Sequence, residues 1–371
     1  MVSLPSSFSS SPSVSLRSKP IILSLTALLI ITIFLIWTPL PNGCDPYSDR
    51  LVCKVTDKAK HVLPSTHANK WRPTELKHVK SKYAFATFLA GTKDAGADDP
   101  FFVGVRLLTY QLLHANDTAS RDKSIPLIVL VTKNVSDDKR VRLQKDGAIV
   151  VEAEWVDPKW VVTKNVGWKD VMTKLRLWEL TQFERICQLD GDTVLTRPLD
   201  GVFLDPAVQS QTTLEKPEET KSDEGTMPTT YSFASFPEMK QEHDYPPTEE
   251  NHDFPNINYL NAGFFVFKPS LEILRYYFSL LETPDRFSPG LPEQNLFNYA
   301  HRPQGNMPWT TVENTWNLHM ALSTDIEGGV ASVHSKWWSP LDKKMLPWLA
   351  ARRWRMEGYF EAMDKLREDS A

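Results

Sequence analysis

Two aspartates separated by one glycine, Asp190, Gly191 and Asp192, are the residues of this 371-residue chain whose types and spacing best suit chemistry. They directly follow a short apolar run, residues 185–189, which the pattern predicts to be a β-strand. An open α/β sheet binds its ligands at the carboxyl ends of its strands. Two carboxylates there can hold a hard divalent cation through oxygen, and a glycine lets the backbone approach a ligand closely. We therefore expect Mg²⁺ or Mn²⁺ bound to nucleotide phosphates, the alternative being a polar turn after a strand.

The elements around this motif alternate between strand-like and helix-like patterns. Residues 125–132 form a continuous apolar run, which is typical of a strand buried on both faces of a parallel sheet. Residues 174–183 have apolar side chains at helical spacing and predict a helix that leads into strand 185–189. The other predicted elements are strands at 83–90 and 148–153 and helices at 101–114 and 140–146. This alternation favours an α/β fold with a mainly parallel sheet and covering helices.

The stretch 174–203, KLRLWELTQFERICQLDGDTVLTRPLDGVF, resembles the core of the family 8 retaining glycosyltransferases, whose best-known member is glycogenin. In that family a lysine precedes a helix, a strand ends in Asp-x-Asp, and an aspartate and a phenylalanine, here Asp200 and Phe203, close the segment. The resemblance extends over about residues 83–338. Its other blocks are YAFATF at 83–88, NAGFFVFKPS at 261–270, EQNLFN at 293–298 and VHSKWW at 333–338.

The resemblance implies a single GT-A-type domain, which is a Rossmann-like nucleotide-diphospho-sugar transferase fold, and a retaining transfer from a UDP-sugar. It implies Mn²⁺ (or Mg²⁺) as cofactor, with Asp190, Asp192 and His334 as its ligands. Glu293 and Gln294 occupy the family's catalytic Asp-Gln positions, so the carboxylate lies one methylene further out. The implied substrate-binding residues are Thr87, Phe88, Lys174, Asp190, Asn261, Gly263 and Lys336.

Several of these residues also have plainer interpretations. A histidine after an apolar strand, such as His334, is often a structural residue, and Lys174 could be an exposed lysine at a helix start. Asn261 and Gly263 could form a turn before a buried strand. Lys336 follows His334 after only two residues, where the family usually has several more, which leaves open whether Lys336 reaches the phosphates.

An apolar, uncharged segment near the N-terminus predicts a membrane anchor. Residues 21–38 are long enough to cross a bilayer as a helix, and Arg17 and Lys19 precede them. Basic residues on the N-terminal side keep that end cytoplasmic, so the rest of the chain would be lumenal. We expect a single-pass type II protein of the Golgi membrane, with a cytoplasmic tail at 1–20 and a stem at 39–80. The alternative is a cleaved signal peptide.

The remaining chain divides into a catalytic domain at 81–340 and a C-terminal helical extension at 341–371. Within the domain, residues 209–256 are rich in Glu, Pro, Thr and Ser and predict a polar surface insertion near the site. Only 231–236 in that insertion resemble a strand. The extension carries Trp, Arg and Lys at helical spacing, which favours a helix that caps the domain, the alternative being contact with a membrane surface.

The net charge, the cysteines and the sequons indicate which compartment and which partners the protein has. A net charge of −4 gives no reason to expect nucleic acid as a partner. Cys44 and Cys53 lie where an oxidising lumen would allow a disulfide, and Cys187 lies within the predicted strand 185–189 and should be buried. Sequons at Asn116 and Asn134 fit a lumenal domain.

The sequence therefore predicts a membrane-anchored retaining glycosyltransferase. It would transfer a hexose or N-acetylhexosamine from a UDP-sugar to a glycan or glycoprotein acceptor. One rival hypothesis is a glycogenin-like self-glucosylating primer, which the anchor and the sequons disfavour. The other is an inactive lumenal binding protein on the same scaffold, which the intact Asp190, Asp192 and His334 disfavour.

Overall fold

The computed structural model describes residues 72, 76–91, 96–163, 168 and 170–370. The predicted tail 1–20, the predicted membrane span 21–38, most of the stem 39–80, and both Cys44 and Cys53 lie outside these residues. Among the helices of the described part, none combines the length and the apolar character that a membrane span requires.

A seven-stranded sheet with the order β10-β8-β9-β4-β1-β2-β3 forms the centre of the described domain. Its neighbouring pairs β1–β2, β2–β3, β1–β4 and β8–β10 are parallel, and only the two pairs made by β9 are antiparallel. This arrangement confirms the predicted α/β fold with a mainly parallel sheet. The strands are β1 Tyr83–Leu89, β2 Leu127–Val131, β3 Ile149–Glu152, β4 Arg185–Leu189, β8 Phe233–Pro237, β9 Leu260–Phe267 and β10 Thr310–Thr311.

Alternation along the central strands divides the core into two halves, one on each face of the sheet. In β1, Phe85 belongs to one buried cluster, whereas Ala84 and Ala86 belong to the other. The same alternation separates Val129 from Ile128 in β2, whose five residues are all buried. Successive side chains of a strand point to opposite faces, so a strand covered on both sides reads as a continuous apolar run.

Helices cover both faces of the sheet. They are α1 Pro100–Leu113, α2 Asp137–Lys145, α3 Leu271–Glu282, α4 Pro292–Ala300, α5 Ser323–Gly328 and α6 Leu346–Asp369. Asp99 caps α1, because its side chain accepts a hydrogen bond from the Phe101 amide, and Pro100 occupies the first turn, where no N–H is needed. Ser270 caps α3 in the same way. The predicted helix 174–183 is instead a 3-10 helix, Val171–Glu179. Over nine residues, the spacing of apolar side chains does not distinguish the period of a 3-10 helix from that of an α-helix.

A second, three-stranded sheet, β11-β12-β5, stands beside the large one. Its strands are β5 Thr193–Leu195, β11 Leu318–His319 and β12 Ser332–His334. The register pairs His334 with Thr193 across β12 and β5, and pairs His319 with His334 across β11 and β12. The chain thus brings the segment after Asp192 next to a strand that lies about 140 residues later.

The predicted surface insertion 209–256 was only partly correct. A two-stranded ribbon, β6 Gln211–Thr212 with β7 Thr230–Tyr231, belongs to it. However, most of the strand-like stretch 231–236 belongs to β8, which is buried throughout and lies inside the large sheet between β9 and β10. A strand of five residues in a polar setting gives too short a pattern to reveal its burial.

The C-terminal extension forms α6, which packs on α1. Leu349, Met356 and Phe360 are its buried residues. The ring of Phe360 contacts Tyr110 edge-on at 6.1 Å between centroids, and the Arg106 guanidinium lies 5.2 Å from the same ring. This helix therefore caps the domain.

Candidate active site

The candidate site lies where β4 ends, beside the start of the antiparallel strand β9. The Asp190 amide donates a hydrogen bond of 2.8 Å to the Gly263 carbonyl, so the pairing of β4 with β9 continues one residue past β4. The turn that follows is closed by the Thr193 amide, which donates to the Asp190 carbonyl at 3.0 Å. Gly191 is required in this turn, because a Cβ there would lie 2.7 Å from Val105 of α1.

The three predicted metal ligands come together. Nε2 of His334 lies 2.9 Å from Oδ1 of Asp192 and 3.8 Å from Oδ2 of Asp190. The pairing of β12 with β5 fixes this geometry, since it sets His334 beside Thr193, the residue after Asp192. Gly263 makes room for the imidazole, because a Cβ at that position would lie 2.3 Å from the ring of His334.

Lys174 lies buried between two carboxylates rather than exposed at a helix start. Its Nζ contacts Oδ1 of Asp190 at 2.7 Å and Oε1 of Glu293 at 3.0 Å. Burial lowers the pKa of Lys174, but the charges of Asp190 and Glu293 outweigh it and raise the pKa above the ordinary value. Gln188 also donates to Oδ1 of Asp190 at 3.0 Å, which leaves Oδ2 facing His334.

The electrostatics of the ligand cluster follow from its opposed charges. Burial lowers the pKa of His334, but the neighbouring carboxylates of Asp192 and Asp190 raise it to about 9. Burial also raises the pKa of Asp192, and the His334 charge overcomes this and keeps the pKa below its usual range. In the metal-free protein an imidazolium therefore balances the two aspartates.

The donor set fits a divalent transition metal. Each of Asp190, Asp192 and His334 offers one ligand atom, and these three atoms all lie within 4.8 Å of one another. Two carboxylate oxygens and one imidazole nitrogen suit Mn²⁺, and a metal that prefers six ligands would have positions left for a substrate. Within the described part of the chain, these three residues form the one such group of His, Cys, Asp and Glu side chains.

A second polar cluster adjoins the first and was missed by the sequence analysis. Glu238, which follows β8, accepts hydrogen bonds at Oε2 from Nδ2 of Asn261 at 3.0 Å and from Nε2 of Gln294 at 3.2 Å. Its Oε1 lies 2.7 Å from Nε2 of His319. Glu238 directly follows the short strand β8, and His319 ends the short strand β11. No motif in the sequence points to either residue.

The other predicted residues differ in exposure. Thr87 is fully buried, and Phe88 is partly buried on β1. Lys336 is exposed, and its charge contributes to the low pKa of Asp192. Several buried polar atoms near the site have no hydrogen-bond partner among the described residues; these are Oγ1 of Thr87, Oε1 of Gln188 and Nδ1 of His334. Buried polar atoms without partners are rare and mark places where a ligand or water can bind.

Comparison with known proteins gives distant relatives. No family model matches the chain. An uncharacterised protein of Schizosaccharomyces pombe is 25% identical over 313 residues, which cover 74% of this chain and 76% of that protein. Galactinol synthase 2 of Arabidopsis thaliana is 30% identical over 58% of this chain and 60% of its own length. A solved galactosyltransferase, LgtC, in complex with donor and acceptor sugar analogs, aligns with a TM-score of 0.43 at 12% identity, over 74% of this chain and 95% of that one.

The galactinol synthase relatives support the predicted resemblance at the level of enzyme class. They support assignment as a glycosyltransferase. The similarity covers 58% of this chain for galactinol synthase 2 and 67% for galactinol synthase 6 of Arabidopsis thaliana.

Proposed function

We propose that this protein is a metal-dependent retaining glycosyltransferase. It transfers a hexosyl or N-acetylhexosaminyl group from a UDP-sugar to a hydroxyl group of a glycan or glycoprotein acceptor. The observation that carries the proposal is the convergence of Asp190, Asp192 and His334 at the end of β4, beside the buried Lys174–Glu293 ion pair. The galactinol synthase relatives add support, and their name puts a galactosyl donor first among the candidates.

The three ligands would hold Mn²⁺ or Mg²⁺, which when bound neutralises the charge that develops on the departing diphosphate. Lys174 contributes a buried positive charge next to Asp190, and its raised pKa keeps it protonated. The same ammonium group fixes the Glu293 carboxylate, whose side chain is only 13% exposed. Lys174 is therefore a positioning residue for both carboxylates.

Retention requires a group on the face of the sugar opposite the leaving group, either a nucleophile or a stabiliser of positive charge. Glu293 suits this role better than Gln294. Oε1 of Gln294 accepts a hydrogen bond of 3.0 Å from the Ala262 amide, and its Nε2 donates to Glu238, so both ends of its amide are engaged. Glu293 carries the negative charge that stabilises an oxocarbenium-like state.

For the location of the enzyme we keep the proposal of a single-pass type II protein of the Golgi membrane, with a lumenal catalytic domain. It rests on the apolar segment 21–38 with Arg17 and Lys19 before it. The sequon residues Asn116 and Asn134 are both exposed, as glycan acceptors in a lumenal domain must be.

The test is a donor-hydrolysis screen over UDP-galactose, UDP-glucose and UDP-N-acetylglucosamine, each with Mn²⁺ and with EDTA. We expect hydrolysis of at least one donor, and its loss with EDTA. Product NMR with an added acceptor should give the anomeric configuration of the donor. Absence of both hydrolysis and binding for every donor would instead favour an inactive binding protein, and unchanged hydrolysis in EDTA would remove the metal from the proposal.

A further inference from the structure

The three-stranded sheet brings a second histidine to the site, next to the predicted metal ligand. His319 and His334 are direct neighbours across the parallel strands β11 and β12. Paired residues of adjacent strands present their side chains on the same face of the sheet. His334 faces Asp192 at 2.9 Å, and His319 faces Glu238 at 2.7 Å. The Glu238 cluster is therefore held by the same sheet that holds the candidate metal ligands.

The orientations of the two amides in this cluster follow from their backbone partners. Oδ1 of Asn261 accepts from the Gly263 amide at 2.9 Å, and Oε1 of Gln294 accepts from the Ala262 amide at 3.0 Å. A backbone N–H can only donate, so each side-chain oxygen must face the backbone and each NH₂ group must face away from it. Both NH₂ groups then point at the same oxygen of Glu238.

Glu238 must consequently accept from three donors. A carboxylate has no proton to donate and can accept several hydrogen bonds, so it satisfies both amides and the imidazole together. Nε2 of His319 lies 2.7 Å from Oε1 of Glu238 and 3.2 Å from the Met239 amide nitrogen. We assign a proton to Nε2, because it then donates to Glu238, which is the shorter of the two contacts. The pKa of Glu238 is raised by burial but lowered more by His319, Asn261 and Gln294, so the side chain stays ionised.

We propose that Glu238 is a positioning residue of the transfer reaction and that His319 holds it in place. Its carboxylate orients Asn261 and Gln294, and through their oxygens it fixes the backbone at Ala262 and Gly263, against which His334 packs. This inference rests on the proposed glycosyl transfer, because Asn261 is a predicted substrate-binding residue and Gln294 is the neighbour of the proposed catalytic Glu293. A displacement of about 1 Å in such groups can cost about 100-fold in rate.

The first test compares Glu238→Gln with the wild type, using the nucleotide sugar that the wild type turns over. Glutamine can accept from both amides only if its NH₂ group faces Nε2 of His319. The hydrogen bond that His319 donates to the carboxylate is then lost, and the amides contact a neutral acceptor. We expect kcat to fall by about 100-fold, whereas KM for the donor and affinity for UDP with Mn²⁺ change by about threefold or less. Glu242→Gln, at an exposed position nearby, is the matched control and should match the wild type.

The second test uses His319, and it decides the matter if the Glu238 variant is poorly folded. Glutamine at 319 can still donate an N–H to Glu238, whereas leucine cannot. We expect His319→Gln to keep kcat within about threefold and His319→Leu to lose about tenfold. Hydrogen exchange at the Ala262 and Gly263 amides should be faster in His319→Leu and in Glu238→Gln, a result that does not depend on activity.

Two outcomes would overturn the positioning role. One is a Glu238→Gln enzyme with wild-type kcat, and the other is a parallel loss of kcat and UDP affinity with a lowered Tm, which would make the residue merely structural. A wild type that turns over no nucleotide sugar contradicts the proposed function instead, whatever the exchange data give.

Discussion

His334 and His301 lie in regions of opposite electrostatic character, although both are shielded from solvent. The pKa of His301 falls to about 4, because burial dominates and a hydrogen bond to the Met307 carbonyl only partly opposes it. Burial acts on His334 in the same direction, yet Asp192 and Asp190 raise its pKa to about 9. Burial thus keeps a histidine neutral where no carboxylate is near, as at His301, whereas neighbouring carboxylates outweigh burial at His334.

The two histidines also differ in how well their ring nitrogens are satisfied. Both ring nitrogens of His301 have partners, Tyr277 at 2.6 Å and the Met307 carbonyl at 2.7 Å, and the ring stacks on Phe233 at 4.3 Å. Nδ1 of His334 has no partner among the described residues. We call the stacked side chains around His301 the aromatic region; they are Trp178, Phe233, Phe267, Tyr277 and Phe297. Ring packing stabilises this region, whereas the unpartnered Nδ1 of His334 lies at a site where a ligand can bind.

The largest effect should come from removing a carboxylate of the site. Asp192→Asn leaves the backbone pairing of β5 intact, and His334 can lose its proton once its charged partner is gone. We expect kcat to fall by about 1000-fold, since the diphosphate loses its counter-charge. Near-UV circular dichroism should keep the native spectrum.

Asp138→Asn, on the exposed surface of α2, is the control for that change and should retain activity. Near-normal turnover of Asp192→Asn at saturating Mn²⁺ would show that Asp192 is not a metal ligand. The proposed difference between the two regions would then be wrong as well.

The aromatic region should show the opposite behaviour, with a loss of stability and little loss of activity. Phe267 is fully buried at the far end of β9, and its ring stacks on Trp178 at 4.0 Å between centroids. Phe267→Ala should lower the free energy of unfolding by about 3–4 kcal/mol, measured by urea denaturation, and Phe267→Leu by less. The folded fraction should keep kcat within about twofold. A large drop in kcat for the folded protein would mean that the two regions are not separable.

The sequence predicted the parallel half of the fold well, because its signals are local. Strands buried on both faces read as apolar runs, and β1, β2 and β3 lie within two residues of their predicted ends. The antiparallel direction of β9 could not be predicted, since its apolar run would look the same either way. The burial of β8 was missed because five residues among polar neighbours form too short a pattern.

For the site, the sequence predicted the residues that motifs carry and missed those held only by tertiary structure. Asp190, Asp192 and His334 come together, although their roles stay predictions. Glu238 and His319 meet only because β8 and β11 end at the same place, with about 80 residues between them. The two residues of such a pair have no fixed spacing along the chain, so a single sequence gives no indication that they will meet.

The aromatic region should also give the fold an acid-sensitive step. Folded His301 stays neutral down to about pH 4, whereas in the unfolded chain it takes up a proton near its ordinary pKa of 6.5. The unfolded state therefore binds more protons between these values, so stability falls as the pH drops from about 6.5 to about 4. A fall of the His301 pKa from 6.5 to about 4 corresponds to roughly 3 kcal/mol.

Urea denaturation at several pH values measures this contribution. His301→Gln is less stable overall, but its stability should depend less on pH between 4.5 and 6.5 than that of the wild type. Equal slopes for the two proteins would mean that carboxylates, and not His301, account for the acid sensitivity.

The smallest effect should come from charges that are neither buried nor near a ligand. Asp117 accepts hydrogen bonds from Arg352 and Arg355 of α6, and although burial opposes it, these charges lower the pKa of Asp117 to about 2. The contribution of Asp117 is complete above its ordinary pKa of 3.8 and is lost as the pH falls towards 2. Because the Asp117 side chain is 38% exposed, water and salt screen the pair. Asp117→Ala should therefore cost less than about 1 kcal/mol in 0.05 M salt and still less in 0.5 M. If Asp117→Ala lowered the free energy of unfolding as much as Phe267→Ala, the docking of α6 would be as important for stability as the aromatic region. Charge at the surface would then be as important as charge in the site.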